Sequence, residues 1–229
     1  MKKMIDDKQK VPDDFKVFSD PANFLIIGKK GSGKTALGFK FLEDISIFRE
    51  AYVFRFPKPE LLDKLPFVVK NITTLKQLYN LTDSCCLIDE AHRYFDVLNK
   101  SVNEELKELL ANSRQNNCSF IFVTHNSYFI TRGIFSYVDV RIIKEVNEGH
   151  WDTDRPHMKK LYSKVKIDKA KDYFIDSDFI RGIKQFQLMT WFDDDFTLAY
   201  KNQNTEIDNP SERLRVFAKK CGLLRGDAK

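Results

Sequence analysis

The chain has 229 residues, 38 Lys and Arg against 33 Asp and Glu, a net charge of +5, and it is 42% hydrophobic and 13% aromatic. That length suits one domain with a sizeable core, with or without a small appendage, and is too short for two full nucleotide-binding cores. No run approaches the roughly 18 apolar residues that a bilayer span needs, the start "MKKMIDDKQKVPDD" has no apolar segment behind its lysines and so is not a secretory signal, and the charge permits a polyanion partner without demanding one.

Residues 1–20 mix five lysines with five aspartates and offer little to pack, which predicts an extended or loosely docked arm. From Asn23 strands alternate with helices. "NFLIIG" reads as a strand, and "ALGFKFLEDI" as a helix with Leu37, Phe41, Leu42 and Ile45 on one face. "AYVFRF" is a second strand, "PFVVK" a third, "TLKQLYNL" a short helix and "SCCLIDE" a buried strand. "VNEELKELLANSR" predicts a helix with Val102, Leu106, Leu109 and Leu110 facing the core, "CSFIFVTH" another buried strand, and "YVDVRIIKEV" one more. Short, continuously apolar strands between helices indicate a parallel sheet covered on both faces. After about Asn147 the texture turns to "RPHMKKLYSKVKIDKAK", then "GIKQFQLMTW", then a polar tail. The organisation expected is an arm over 1–20, a core over 21–147 and an extension packed on it over 148–229. Cys85, Cys86, Cys118 and Cys221 show no CxxC spacing, and three lie in or beside apolar strands, which predicts buried, reduced thiols and a cytoplasmic location.

Gly28 to Thr35 match GxxxxGK[ST] between a strand and a helix, the context that a phosphate-binding loop requires. Its glycines let backbone N–H groups turn around a phosphate chain, and the helix starting near Gly33 adds its positive end. Gly28, Lys30, Gly31, Ser32, Gly33, Lys34, Thr35 and Ala36 are the candidate nucleotide contacts, with Lys34 reaching the β and γ phosphates of ATP and Thr35 ligating Mg²⁺.

The strand "CCLIDEAH" ends in two acids. Asp89 is suited to the Mg²⁺ shell, and Glu90 to polarising an attacking water, which hydrolysis needs and phosphate binding does not. His92 completes the letters DEAH, but the helicases that carry that box have two tandem cores, so His92 is read as a helix-start or surface histidine. "FIFVTHN" ends a buried strand where a γ-phosphate sensor would lie, with Thr124, His125 and Asn126 as candidates. Arg114 and Arg132 bracket that strand, and one of them is expected to complete a neighbouring subunit's charge clamp, Arg114 by preference. Guanine binding and a transporter ATPase are excluded by the lack of NKxD and of an LSGGQ-like signature, and a small-molecule kinase normally lacks the catalytic glutamate.

Taken in order, the strand and phosphate loop, "LIDEAH", the helix ending in "NSRQNN", and "FIFVTHN" resemble the FtsK/HerA superfamily of DNA-pumping ATPases over about Phe24 to Glu145. The short length is similar to that of the genome-packaging ATPases of tailless, membrane-containing double-stranded DNA viruses. The resemblance implies a RecA-like α/β fold with a mostly parallel sheet between helices and a small basic C-terminal extension. It also implies ATP hydrolysis coupled to translocation of double-stranded DNA, a hexameric or pentameric ring, capsid or membrane-vertex partners, and association with the virion. It places the family's loop lysine on Lys34, its magnesium threonine on Thr35, its acidic pair on Asp89 and Glu90, and its trans arginine on Arg114. The family often ends the sensor strand in Gln, where this chain has His125. The zonula occludens toxin-like ATPases of filamentous phages look similar over the same stretch, "LIDEAHRYF" included, and give the rival reading of a phage-assembly ATPase; a nucleotide-dependent protein-binding switch is a third. Residues 155–171 carry Arg155, Lys159, Lys160, Lys164, Lys166, Lys169 and Lys171 against one acid, Asp168. A strand there would turn Lys164 and Lys166 to one face, able to hold DNA phosphates without reading bases.

Overall fold

A computed structural model describes residues 18–65, 67–95, 100–167, 172–178 and 180–185, with the backbone alone at 64, 100–103 and 129. The expectations for residues 1–17, the side chain of Val102, Lys169, Lys171, Cys221 and the tail from 186 onward lie outside the described residues.

Strand β1 (Asn23–Ile27) is buried along its whole length. Because successive side chains of a strand point to opposite faces, Phe24 and Ile26 enter one apolar core while Leu25 and Ile27 enter another. The first core is covered by helix α1 (Lys34–Ser46), which contributes Leu37, Phe39, Phe41, Leu42 and Ile45. α1 buries more than the predicted face, since Gly38, Lys40 and Asp44 are also enclosed and Lys40 pairs with Asp44 at 3.3 Å and Glu43 at 3.1 Å. Of the arm, Phe18 packs on Phe41 with ring centroids 5.4 Å apart.

The remaining strands are β2 (Glu50–Phe54), β3 (Val69–Ile72), β4 (Ser84–Ile88), β5 (Ser119–Thr124), β6 (Val140–Ile143), β7 (Asp172–Asp176) and β8 (Arg181–Gln185). They form one eight-stranded sheet in the order β3-β2-β4-β5-β1-β6-β7-β8. β2 to β6 all run parallel to β1, β7 runs antiparallel to β6, and β8, antiparallel to β7, runs in the direction of β1 again. The second face is covered by the short helix α2 (Leu75–Tyr79), α3 (Lys100–Ala111), α4 (Arg132–Phe135) and α6 (Pro156–Tyr162), with α5 (Glu148–Thr153) leading into the last of these. This is the expected α/β architecture. Cys85, Cys86 and Cys118 are free and buried, as expected, and burial raises the Cys85 and Cys86 thiols above their ordinary range. No helix among the described residues is long and apolar enough to cross a membrane.

The predicted strand through Lys164 and Lys166 does not form. Pro156 starts α6 instead, Met158 and Tyr162 lie one helical turn apart and are both buried, and the chain turns after Tyr162. The alternation survives without a ladder: Val165 and Ile167 pack on the second core while Lys164 and Lys166 stay exposed. The third strand begins three residues later than "PFVVK" would start it, at Val69. β7 was not foreseen, although its Tyr173, Phe174 and Ile175 divide between the two cores as the residues of β1 do.

α1 lies close to the sheet at Gly38, where an added Cβ would come within 2.8 Å of Leu87 Cδ1 and 3.2 Å of Val123 Cγ2. Both neighbours are fully buried. Gly38→Val should therefore destabilise the protein by about 1–3 kcal/mol through overpacking, measured as a lower urea midpoint at unchanged m; an unchanged midpoint would show that the helix can lift without cost.

Candidate functional site

The parallel strands all end on one edge, and the polar residues that follow β1, β4, β5 and β6 meet there. Register sets their level: Ile27 pairs with Thr124 and with Ile143, and Ile88 with Phe122. The order places β5 between β1 and β4, so the loop strand and the acidic strand are separated by β5 and the residues after it can touch both. Ligands of open parallel sheets bind at such carboxyl ends.

In the loop after β1, Gly28 has no room for a side chain, since a Cβ would lie 2.7 Å from Lys144 Cβ and 2.8 Å from Ser32 Oγ. Gly31 and Gly33 adopt φ of 78° and 83°, left-handed values that glycine takes without penalty. Lys29 N–H donates to the Glu145 carbonyl at 2.7 Å, and the Lys29 ammonium pairs with the Glu145 carboxylate, so the loop is tied to the chain after β6. Lys30 is exposed and Ala36 buried. Ser32 Oγ is buried with no hydrogen-bond partner among the described residues, an orphan polar atom aimed into the loop.

Lys34, the first residue of α1, is buried and folds back so that its Nζ donates to the Lys29 carbonyl at 2.9 Å. Burial lowers its pKa, opposed by the charges of Glu90 and Asp89. Thr35 Oγ1 donates to Asp89, at 3.0 Å from Oδ2 and 3.2 Å from Oδ1. Burial and the neighbouring Glu90 raise the Asp89 carboxyl to about 6. Glu90 has φ of 50° and caps a single 3-10 turn, a left-handed conformation that costs a residue with a Cβ about 1–2 kcal/mol. That backbone turns its carboxylate toward two imidazoles, His125 Nε2 at 3.4 Å and His92 Nε2 at 3.5 Å.

His125 joins the two halves of the site. Its Nδ1 lies 3.4 Å from Lys34 Nζ and its Nε2 faces Glu90. An ammonium can only donate, so Nδ1 accepts and the ring proton sits on Nε2, directed at the carboxylate. Burial, then the charge of Lys34, lowers the His125 pKa and favours this neutral form. Thr124 is fully buried and donates to the Asn126 carbonyl at 3.3 Å. Asn126 donates to Thr153 Oγ1 at 3.1 Å and accepts from the Tyr128 N–H at 3.1 Å, which braces the loop. Of the three sensor candidates, His125 is the one whose ring meets Lys34 and Glu90.

Arg114 lies apart from this cluster. Arg114 pairs with Asp139 at 2.7 Å, and the other oxygen of Asp139 accepts the Asn23 N–H at the start of β1. Arg114 thus sits at the opposite edge of the sheet, about 17 Å from the loop at ~3.3 Å per strand residue, with its guanidinium exposed. Arg132 is exposed at the start of α4, on the edge where β5 ends. The sequence reading missed His92 as a contact of Glu90, although it adjoins the acidic pair. It also missed His150, buried in α5, whose Nε2 donates to the His125 carbonyl at 2.6 Å, and the tie between Lys29 and Glu145; no local pattern announces either contact.

Among solved structures, the chain superposes on the DNA-packaging ATPase B204 of Sulfolobus Turreted Icosahedral Virus at a TM-score of 0.53 with 19% identity, over 72% of this chain and 97% of that one. The fold is that of the P-loop NTPases. The genome packaging NTPase B204 from Sulfolobus turreted icosahedral virus 2, in complex with ATP-gammaS, gives a TM-score of 0.56 at 18% identity over 73% and 97% of the two chains. The pCW3 conjugation coupling protein TcpA, with ATPgS, gives 0.55 at 14% identity over 73% of this chain and 60% of that one. These neighbours carry the α/β fold that the resemblance implied. No protein-family model matches the sequence, and no curated protein does.

Asp89 holds its proton more tightly in the folded protein than an ordinary carboxyl would, so stability falls as pH rises from the usual carboxyl range through about 6. Asp89→Asn keeps an acceptor for Thr35 and removes the charge. It should raise the melting temperature at pH 7.5 without divalent cation, by about 2–4 °C for each kcal/mol relieved, and this advantage should shrink below pH ~5 as the native carboxyl protonates. A lower melting temperature at pH 7.5 would contradict the buried-charge account.

Proposed function

We propose that the chain is a Mg²⁺-dependent ATPase that works in a ring to move double-stranded DNA, as in viral genome packaging. The observation that carries this is the convergence of Lys34, Thr35, Asp89, Glu90 and His125 at the ends of three adjacent strands. The glycine loop, with a crowded Gly28 and the unpartnered Ser32 hydroxyl, suits a phosphate chain entering against α1. Lys34 would leave the Lys29 carbonyl for the β and γ phosphates. Thr35 and Asp89 already face each other and offer the hard oxygen donors that Mg²⁺ takes; the ion supplies charge neutralisation of the phosphates when bound. Glu90 lies beside the loop and would orient a water and accept its proton, and the contacts of His125 with both Lys34 and Glu90 support a role in reporting the γ phosphate to the base. Glu90 favours hydrolysis over a binding switch, since a switch needs no such carboxylate.

The packaging role is supported by the fold shared with the two B204 proteins, which are named for genome packaging, and by the exposed Lys160, Lys164 and Lys166. In a ring, Arg114 could serve a site only on a neighbour, because its own lies across the sheet. Capsid or vertex proteins would be the remaining partners.

Two experiments test this reading. Lys34→Ala should lose most nucleotide affinity, while Glu90→Gln should keep affinity and lose about 10²- to 10⁴-fold in turnover, measured by nucleotide titration and phosphate release; equal losses of binding in both would refute the division of roles. Replacing Lys160, Lys164 and Lys166 by Ala should weaken duplex binding evenly across sequences and lower the magnitude of the log–log salt slope by up to about 0.9 per lysine. A folded triple variant with unchanged affinity and slope would move the DNA path elsewhere.

A further inference from the structure

The loop that follows β5 is fastened at several points by one short stretch of chain. His150 Nε2 donates to the His125 carbonyl. Its Nδ1 sits in the capping box of α5, 2.6 Å from Asn147 Oδ1 and 3.3 Å from the Asn147 N–H, and the His125 carbonyl, which can only accept, requires a proton on Nε2. Thr153 Oγ1 accepts from Asn126. Asp154, 4% exposed, accepts from the Ser127 N–H at 3.2 Å and from the hydroxyls of Ser127 and Tyr162. Arg155 donates to the Ile130 carbonyl and lies over the Phe135 ring at 4.8 Å. Residues 150–155 thus fasten the segment 125–130 link by link, and Tyr162, which shares Asp154, belongs to the helix that carries Lys159 and Lys160.

Among these, His150, Asp154, Asn126 and Ser127 are buried and have no water to turn to when a partner leaves, so the two segments move together. One end of this unit is the His125 ring between Lys34 and Glu90; the other is the basic surface after Arg155. We infer that His150 and Asp154 are positioning residues that set His125 against Glu90 and pass polyanion contact at α6 and its following turn to the hydrolytic pair. This rests on the DNA-dependent ATPase reading above. The device suits the chemistry: a change in the tilt of α6 too small to disturb the sheet reaches His125 through a carbonyl two bonds from its Cα.

The test compares wild type, His150→Ala, His150→Gln and Asp154→Asn, each checked for a cooperative melt, by ATP affinity, basal turnover, duplex affinity and stimulation by duplex. Gln keeps an N–H able to reach the His125 carbonyl, and Asp154→Asn keeps one acceptor, so a folding failure in one variant leaves the others informative. His150→Ala should keep ATP and duplex affinities within about 2-fold, lose roughly 10-fold in basal turnover, and show little stimulation by duplex. His150→Gln should restore much of both. A folded His150→Ala with wild-type turnover and stimulation overturns the inference. So does a loss of stimulation that only tracks a loss of duplex affinity, since that would mark a purely structural role. Wild-type protein that hydrolyses ATP but ignores duplex would instead sink the DNA reading, while the basal turnover of His150→Ala and its rescue by Gln still decide whether His150 positions His125.

Discussion

The molecule is organised by the burial of β1, β4 and β5 on both faces. A strand with apolar cover above and below has nowhere along its length for a charge, so the charged residues of these strands come at their carboxyl ends. There Lys34, Asp89, Glu90 and His125 are drawn into a shared, partly desolvated pocket and must satisfy one another. Each contact answers an electrostatic demand: Lys34 finds a carbonyl and an imidazole, Asp89 a hydroxyl and a backbone N–H, Glu90 two imidazoles. The demand is not fully met. Asp89 titrates near 6 and Glu90 sits in a strained backbone, both marks of a site arranged for work at some expense of stability.

The sheet order sets a third strand between the loop and the acidic pair. Had β4 paired directly with β1, the acidic pair would adjoin the loop and no third strand could read both. With β5 between them, one residue at its end spans Lys34 and Glu90. That residue is a histidine, whose two ring nitrogens let it accept on one side and donate on the other, a division a carboxylate cannot make. The helices after β6 add a second layer, since the carbonyl and the flanking groups of this residue are held by α5 and by Asp154. Residues beyond Asn147, different in texture from the rest of the chain, thereby become part of the site's support, and β7 and β8 lengthen the sheet that carries it.

Local order was legible in the amino-acid sequence wherever a period or a motif carried it. The apolar runs of β1, β4 and β5, the helical spacing of α1 and the glycine loop each depend on neighbours within a few positions. So Lys34, Thr35, Asp89 and Glu90 could be named, and the parallel, doubly covered sheet foreseen, without coordinates. The strand expected at Lys164 failed because alternation over four residues is weaker than Pro156 and the buried pair Met158 and Tyr162, which commit the chain to a helix and a turn just before it.

What the tertiary structure alone decided lies in contacts between distant residues. Lys34 and His125 are separated by 91 positions, and no local pattern could say whether Thr124, His125 or Asn126 meets Lys34; the fold brings the His125 ring there, with Thr153 and Asp154 bonded to the residues after it. Arg114 reads as close to the sensor strand in sequence, yet it precedes that strand and so stands at the opposite edge of the sheet, paired with Asp139. His92 and His150 carry no signal beyond their identity until the fold brings one to Glu90 and the other to the carbonyl of His125. The sequence by itself determined which residues could do the chemistry, because backbone propensity and motif spacing act over a few residues. Only the fold decided which of them meet, because that depends on strand order and on desolvated side-chain pairing across the sheet.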